Sequence, residues 1–228
     1  MSDPRELATI RRVMAGIACP VIMDIGAHTG DSEEDLRACC TADDEDIHYV
    51  MVEPDPRNCN AILNRPHSEG HPRPINRSRR LIIGAVSDQN GEALFHMSEN
   101  PRDHNHASGS LLEPTGHVTG MPWITFEKRT WVQTLTLDAL FRREWLTKID
   151  LLWTDIQGSE RQMIAGGAVA LSHTRYCFME TEGTELYRGQ ALRKELVQMM
   201  AERRFAIDDV FPYNVLFRNT AFKEREPR

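Results

Sequence analysis

Carboxylates and glycines gather where apolar runs of this chain end. In "VIMDIGAHTGD" (21–31), Asp24 sits near the end of a β-rich run, and Gly26, Ala27, His28, Thr29 and Gly30 follow as a short turn before an acidic helical pattern. Gly26 lets the chain turn and lets a ligand approach the backbone. "HYVMVEP" places Glu53 and Pro54 at the end of a second apolar run. A carboxylate there, in a nucleotide-binding sheet, accepts both hydroxyls of a ribose. The third glycine of G-x-G-x-x-G is missing, and Asp24 disfavours a pyrophosphate while suiting an ammonium group. The plain alternative is a pair of glycines that only shape a turn. Combined with Glu53, the pattern fits a ligand with an adenosine ribose, an amino-acid tail and no phosphate. S-adenosylmethionine matches that description better than NAD.

Two further apolar runs end in carboxylates, "IDLLWTD" in Asp155 and "RYCFME" in Glu180. On one rim of a sheet, Asp155 is placed to orient an acceptor hydroxyl, to take its proton as a general base, or to help bind a divalent metal. Glu180 is the second candidate. The structural role open to either is to cap the next helix, as Asp155 would ahead of Ser159. A metal would draw on Asp155, Glu180 and a loop histidine, but no tight ligand spacing supports one and no metal residues are assigned. The stretch from Glu99 to Met121 is rich in Pro, Gly, Ser and His, and a loop this long inside a domain is usually functional or disordered. It carries His104, His106 and His117; an acceptor lid in which His106 takes the proton is one reading, a polar surface loop the other. His28 reads as filler of the cofactor turn. Trp123, Tyr187 and Trp153 offer stacking surfaces, with Trp153, inside a buried strand, read as core.

Placing these residues together demands a particular order of elements. A helix opens the chain within residues 1–18, from the spacing of Leu7, Ile10, Val13 and Met14. "PVIMDI" and "DIHYVMVE" are the first two strands, "RLIIGAV" (80–86) the third, "KIDLLWTD" the fourth and "RYCFME" the fifth. Ser32 to Asp35 has the form of a capping box opening one helix, and Pro56 sits in the first turn of another. Asn90-Gly91 signals a β-hairpin, and "WVQTLTLDALF" a short strand entering a helical turn at Asp138. "FAIDDV" and "NVLFRN" form a terminal strand pair. Alternating strands and helices imply α/β architecture with one doubly wound sheet. The expected organisation is a single domain, 1–228, with the hairpin and acceptor loop inserted at 87–131.

The motifs "DIGAHTGD", "MVEPDP", "IIGAVSDQNGEALFHM", "SGSLLEP", "VQTLTLDAL", "IDLLWTDIQGSERQMIAGG" and "METEGTELYRGQ", in this order and spacing, resemble the FkbM-type methyltransferases. The resemblance runs from about Val21 to Gln190. It implies a class I Rossmann-like methyltransferase fold: a mostly parallel seven-stranded sheet, helices on both faces and a terminal antiparallel strand pair. It also implies S-adenosylmethionine as cofactor, S-adenosylhomocysteine as product, and methyl transfer to a hydroxyl of a sugar or natural-product acceptor; the mechanism expected is direct in-line displacement at the sulfonium methyl. By motif, Asp24, Gly26, Ala27, His28, Thr29 and Gly30 line the methionine part and sulfonium. Glu53 with Pro54 binds the ribose, and Ala85, Val86 and Ser87 lie along the adenine. Where the family commonly has D-[IV]-E-G, this chain has Asp155-Ile156-Gln157-Gly158. That glutamine is the one feature favouring a catalytically inactive cofactor-binding relative. A nicotinamide-dependent oxidoreductase would need the missing third glycine and a Y-x-x-x-K pair, and neither occurs.

Composition narrows the partners. The 228 residues carry a formal net charge of −7, which suits a cytoplasmic enzyme and opposes general nucleic-acid binding, since phosphate contacts need a basic face. The one basic stretch, "RPINRSRR" (73–80), reads as a solvated loop. Five irregularly spaced cysteines without C-x-x-C suggest a reducing compartment. No run of ~18 apolar residues occurs, so no membrane partner is expected. The expected partner is a small-molecule or glycoside acceptor. Its identity and the oligomeric state are not written in these residues.

Overall fold

The apolar runs form strands buried on both faces. The computed structural model describes residues 3–66, 74–102 and 106–223. In chain order its elements are α1 (Pro4–Met14), β1 (Val21–Ile25), α2 (Asp31–Arg37), β2 (His48–Glu53), α3 (Pro56–Asn64), β3 (Arg79–Ile83), β4 (Ala85–Ser87), β5 (Gly91–Glu99), α4 (Gly116–Gly120), β6 (Thr125–Thr136), α5 (Leu137–Arg143), β7 (Ile149–Thr154), α6 (Glu160–Ala165), α7 (Ala168–Ser172), β8 (Thr174–Glu180), α8 (Arg193–Glu202), β9 (Phe205–Val210) and β10 (Asn214–Asn219). Seven strands make one sheet in the order β3-β2-β1-β7-β8-β10-β9. Neighbours are parallel from β3 to β8, and β10 runs antiparallel to β8 and β9. This is the expected mostly parallel seven-stranded sheet with its terminal antiparallel pair. The order reverses between β1 and β7, which opens a crevice beyond their carboxyl ends.

Side chains along a strand point alternately to opposite faces. Met23, Ile25, Val50, Val52 and Leu152 join Leu140 of α5, Met163 of α6 and Met200 of α8 on one face. Ile22, Tyr49, Met51 and Leu151 join Ile10 and Met14 of α1, Leu36 of α2 and Ile62 of α3 on the other. Each fully buried side chain of this kind contributes ~1.5–3 kcal/mol, so two such layers hold the strand ends rigidly. Pro56 opens α3 as expected, behind the Asp55 carboxylate, which accepts from the Arg57 N–H.

Several expectations are corrected. "RLIIGAV" is two strands, not one: β3 ends in the large sheet, and β4 belongs to a second sheet ordered β4-β6-β5. The break is Gly84, where a Cβ would lie 2.9 Å from the Gln133 carbonyl oxygen of the passing β6. The turn at Asn90-Gly91 exists, but the strands on either side do not pair as a hairpin. β6 lies between them, parallel to β4 and antiparallel to β5, and the Asn90 side chain accepts from the Thr136 N–H at 2.9 Å. β6 itself is a 12-residue strand, although its "TFEKRT" half carries three consecutive exposed charges and reads locally as a loop. The capping box at Ser32 is absent. α2 starts at Asp31 behind a left-handed Gly30, and the Ser32 hydroxyl is directed to Asp24 instead. In the basic stretch, Arg79 is buried and paired with Glu33 at 2.9 Å; residues 74–77 are the exposed loop expected, and Arg73 lies outside the described residues.

Candidate active site

The end of β1 is pressed against the end of β7. Gly26 has φ +82°, its N–H donates to the Val52 carbonyl at 2.9 Å, and a Cβ there would lie 1.8 Å from the Asp155 carbonyl oxygen. Gly26→Ala is therefore expected to cost ~2–4 kcal/mol of stability, from left-handed strain plus displaced backbone, read as a lower urea midpoint. A wild-type midpoint would contradict this packing.

Beyond these strand ends lies a cavity of about 330 Å³, within the size of small-molecule sites. Gly26, Ala27 and His28 form one wall. Glu53 and Pro54 from the end of β2, with Asn58 on α3, form the next. Ala85 and Val86 of β4 and Phe95 of β5 close one end. His106, Ala107, Gly109 and Leu111 of the loop cover it, and Asp155, Ile156, Gln157 and Ser159 after β7 complete it.

Glu53 is buried and organises the turn. Its carboxylate accepts from the His28 N–H at 2.9 Å, the Asp55 N–H at 2.8 Å and the Asn58 side chain at 3.2 Å. Burial pushes its pKa up to about 8, against the lowering effect of those bonds. Asn58 Oδ1, His28 Nε2 and Ser159 Oγ are buried without a partner in the cavity wall. Such atoms lose free energy unless a ligand satisfies them. Opposite Glu53, Asp155 is exposed to the cavity. The Gln157 side-chain amide donates to Asp155 Oδ1 at 2.6 Å and to Glu180 Oε2 at 3.0 Å. Burial, and then the Asp155 carboxylate beside it, hold Glu180 well above the usual carboxylate range.

Residues 24–207, which supply most of this cavity, match the Methyltransferase FkbM domain. The chain belongs to the FkbM methyltransferase family. Over 208 residues it is 34% identical to the 2-O-methyltransferase NoeI of Sinorhizobium fredii (strain NBRC 101917 / NGR234), a match covering 88% of this chain and 80% of that protein. Its fold is similar to that of Methyltransferase FkbM from Methylobacillus flagellatus KT, with a TM-score of 0.53 and 12% identity. That likeness covers 87% of this chain and 43% of the other, so the chain spans less than half the length of that structural relative. The protein is a methyltransferase, and its family resemblance and α/β fold are as the sequence implied.

Within this FkbM methyltransferase the residues singled out by sequence divide in two. Gly26, Ala27, His28, Glu53, Pro54, Ala85, Val86, His106 and Asp155 meet in the cavity wall. Asp24 does not. It is fully buried, accepting from Ser32 at 2.6 Å and Tyr49 at 2.8 Å, and burial pushes its pKa up to about 6 despite both bonds. Strand alternation directs Asp24 to the face of Ile22, and Ser32 and Asp31 stand in the wall instead. Thr29 bonds Asp31 at 2.8 Å, Gly30 precedes α2, and Ser87 bonds Asp88 at 3.2 Å, all outside the wall. Glu180 stands behind Asp155 rather than in the wall.

The loop is likewise sorted. His106 Nδ1 lies 3.6 Å from Glu99 Oε2. Glu99 is held by Arg57 at 3.0 Å, which is held in turn by Asp55 at 2.6 Å. His117 is buried against Phe126 and Tyr187, away from the cavity, and His104 lies outside the described residues. Tyr187 is buried and offers no stacking face. Trp153 stacks on Phe178 at 4.1 Å as core, with an edge in the wall. Trp123 is exposed beneath Arg102.

Asn58 and Phe95 escaped the sequence reading, and Ser32 and Ser159 were read only in helix-capping roles. Asn58 had a signal, because the first turn of a helix entered straight after Glu53 must face the same crevice. Glu160, in the first turn of α6, was also missed; it is buried and pushed up to about 7 by that burial. Among the described residues, no group of three or more His, Cys, Asp or Glu side chains is arranged to hold a metal ion, and no helix is long and apolar enough to cross a membrane.

Proposed function

We propose that this FkbM methyltransferase uses S-adenosylmethionine to methylate a hydroxyl oxygen of a small-molecule acceptor, a sugar, glycoside or natural product. The observation that carries this reading is the wall at the switch point. It holds the carboxylates Asp31, Glu53 and Asp155 and the unpartnered polar atoms of His28, Asn58 and Ser159, and among the described residues it includes no Lys or Arg. Such a wall attracts a sulfonium and an ammonium group and accepts ribose hydroxyls, but offers a pyrophosphate no countercharge. The 2-O-methyltransferase name of the Sinorhizobium fredii relative supports oxygen as the methylated atom.

When bound, S-adenosylmethionine supplies an electrophilic methyl on a positively charged sulfur. Glu53 and Asn58 hold the ribose, Ala85 and Val86 lie along the adenine, and Gly26 to His28 hold the methionine part, with Asp24 supporting them through Ser32. Asp155 orients the acceptor hydroxyl and takes its proton. His106, steadied by Glu99, helps orient the acceptor from the loop. Alignment contributes most of the acceleration, with a base adding ~10²–10⁴-fold. The five unpaired cysteines accord with a cytoplasmic site of action, and the net charge of −7 with an acceptor that is not a nucleic acid.

Isothermal titration with S-adenosylmethionine and with NAD, followed by methyl release on a panel of glycosides and hydroxylated natural products, tests the proposal. S-adenosylmethionine alone should bind and at least one acceptor should turn over. Binding of NAD alone would point to the oxidoreductase. Tight S-adenosylmethionine binding without turnover on any acceptor would leave an inactive relative.

A further inference from the structure

Gln157 occupies an unusual position and makes an unusual set of contacts. It has φ +52° and is followed by Gly158 at φ +96°, so a non-glycine residue is held in the left-handed region, a strain that persists only where surroundings over-determine it. Three parts of the chain do so. The side-chain nitrogen serves both Asp155 and Glu180, at the ends of two adjacent strands. The side-chain oxygen lies 2.9 Å from the Tyr187 hydroxyl, whose single proton it shares with the Ser108 carbonyl at 2.8 Å. The main-chain oxygen accepts from the Ser110 hydroxyl at 2.7 Å. Ser110 is in turn paired with His96 of β5 through two backbone bonds. The carboxylate rim and the loop that covers the cavity thus converge on one residue.

We propose that Gln157 is a positioning residue that holds Asp155 toward the acceptor by bridging it to Glu180 and fastens this pair to the covering loop through Tyr187 and Ser110. The inference rests on the methyltransfer reading above for what the pair does, but the bridge itself is independent of it. A neutral amide suits the task because it donates to two carboxylates at once. A third carboxylate in its place would repel both and retain an extra proton. Glu180 is already raised, first by burial and then by the Asp155 charge beside it.

The test compares Gln157→Glu and Gln157→Asn with the wild-type protein. In Gln157→Glu, titration of Glu180, followed by carboxyl-carbon NMR without ligand, should move upward by about one pH unit or more. The acidic limb of the kcat–pH profile should move with it. Gln157→Asn tolerates the left-handed backbone but is one methylene too short to bridge; kcat should fall ~10-fold or more with no upward shift of the profile. An unchanged titration and an unchanged kcat–pH profile in Gln157→Glu would overturn the proposal. A wild-type protein that transfers no methyl group would sink the functional reading while leaving the NMR titration to decide the bridge.

Discussion

Asp155→Asn should lower kcat ~10²–10⁴-fold with a smaller loss of S-adenosylmethionine affinity, because Asp31 and Glu53 remain in the wall. The substitution preserves volume, and its side-chain oxygen still accepts from Gln157, so the rim keeps its shape. What it removes is the group able to take a proton. Asp155 is the one strand-end carboxylate exposed in the wall between the cofactor turn and the covering loop, whereas Glu180 stands behind it. Single-turnover methyl transfer with saturating cofactor reads the effect. His106→Gln serves as the comparison. If that variant loses the larger factor and Asp155→Asn less than about tenfold, the proton goes to the loop histidine and the assignment of Asp155 is wrong.

Glu53→Gln is the second large effect expected, a fall of ~100-fold in S-adenosylmethionine affinity by isothermal titration, since hydrogen bonds to a charged acceptor are worth ~1.5–3 kcal/mol each. Glutamine keeps the volume but presents a donor where the His28, Asp55 and Asn58 N–H groups already point inward. The pH dependence supplies an independent check. Burial raises Glu53 to about 8, so its carboxyl in the unliganded protein keeps a proton to higher pH than an exposed one, while the ribose hydroxyls call for the anion. Wild-type affinity should therefore rise as pH increases toward about 8 and then level off, and the Gln variant should be flat over that range. Stability of the unliganded protein moves the other way. A folded pKa above the unfolded value means the folded state binds more protons, so stability is full below the unfolded pKa and declines as pH rises through the folded one. Glu53 at about 8, Glu160 at about 7 and Asp24 at about 6 all have this sign. A melting temperature that increased steadily across that interval without ligand would show that these groups ionise on folding.

The residues themselves determined the class of the molecule. Apolar runs separated by helical periods specify an alternating sheet, because strand and helix periods of 2 and 3.6 cannot be exchanged. A carboxylate or glycine at the end of such a run lands on the crevice rim, which is why Gly26, Glu53 and Asp155 were legible. Tertiary structure decided everything that depends on direction or on a distant partner. Asp24 looked equivalent to Glu53, but strand alternation aims it beneath Ser32, into the layer with Tyr49. The expected hairpin failed because β6, from 26 to 37 residues downstream of Glu99, inserts between the two strands, and long-range pairing leaves no local mark on a sequence. Gln157 looked like the loss of a charge. Only the folded chain brings Asp155, Glu180, Tyr187 and Ser110 around it, and there a neutral amide does what a third carboxylate would be repelled from doing.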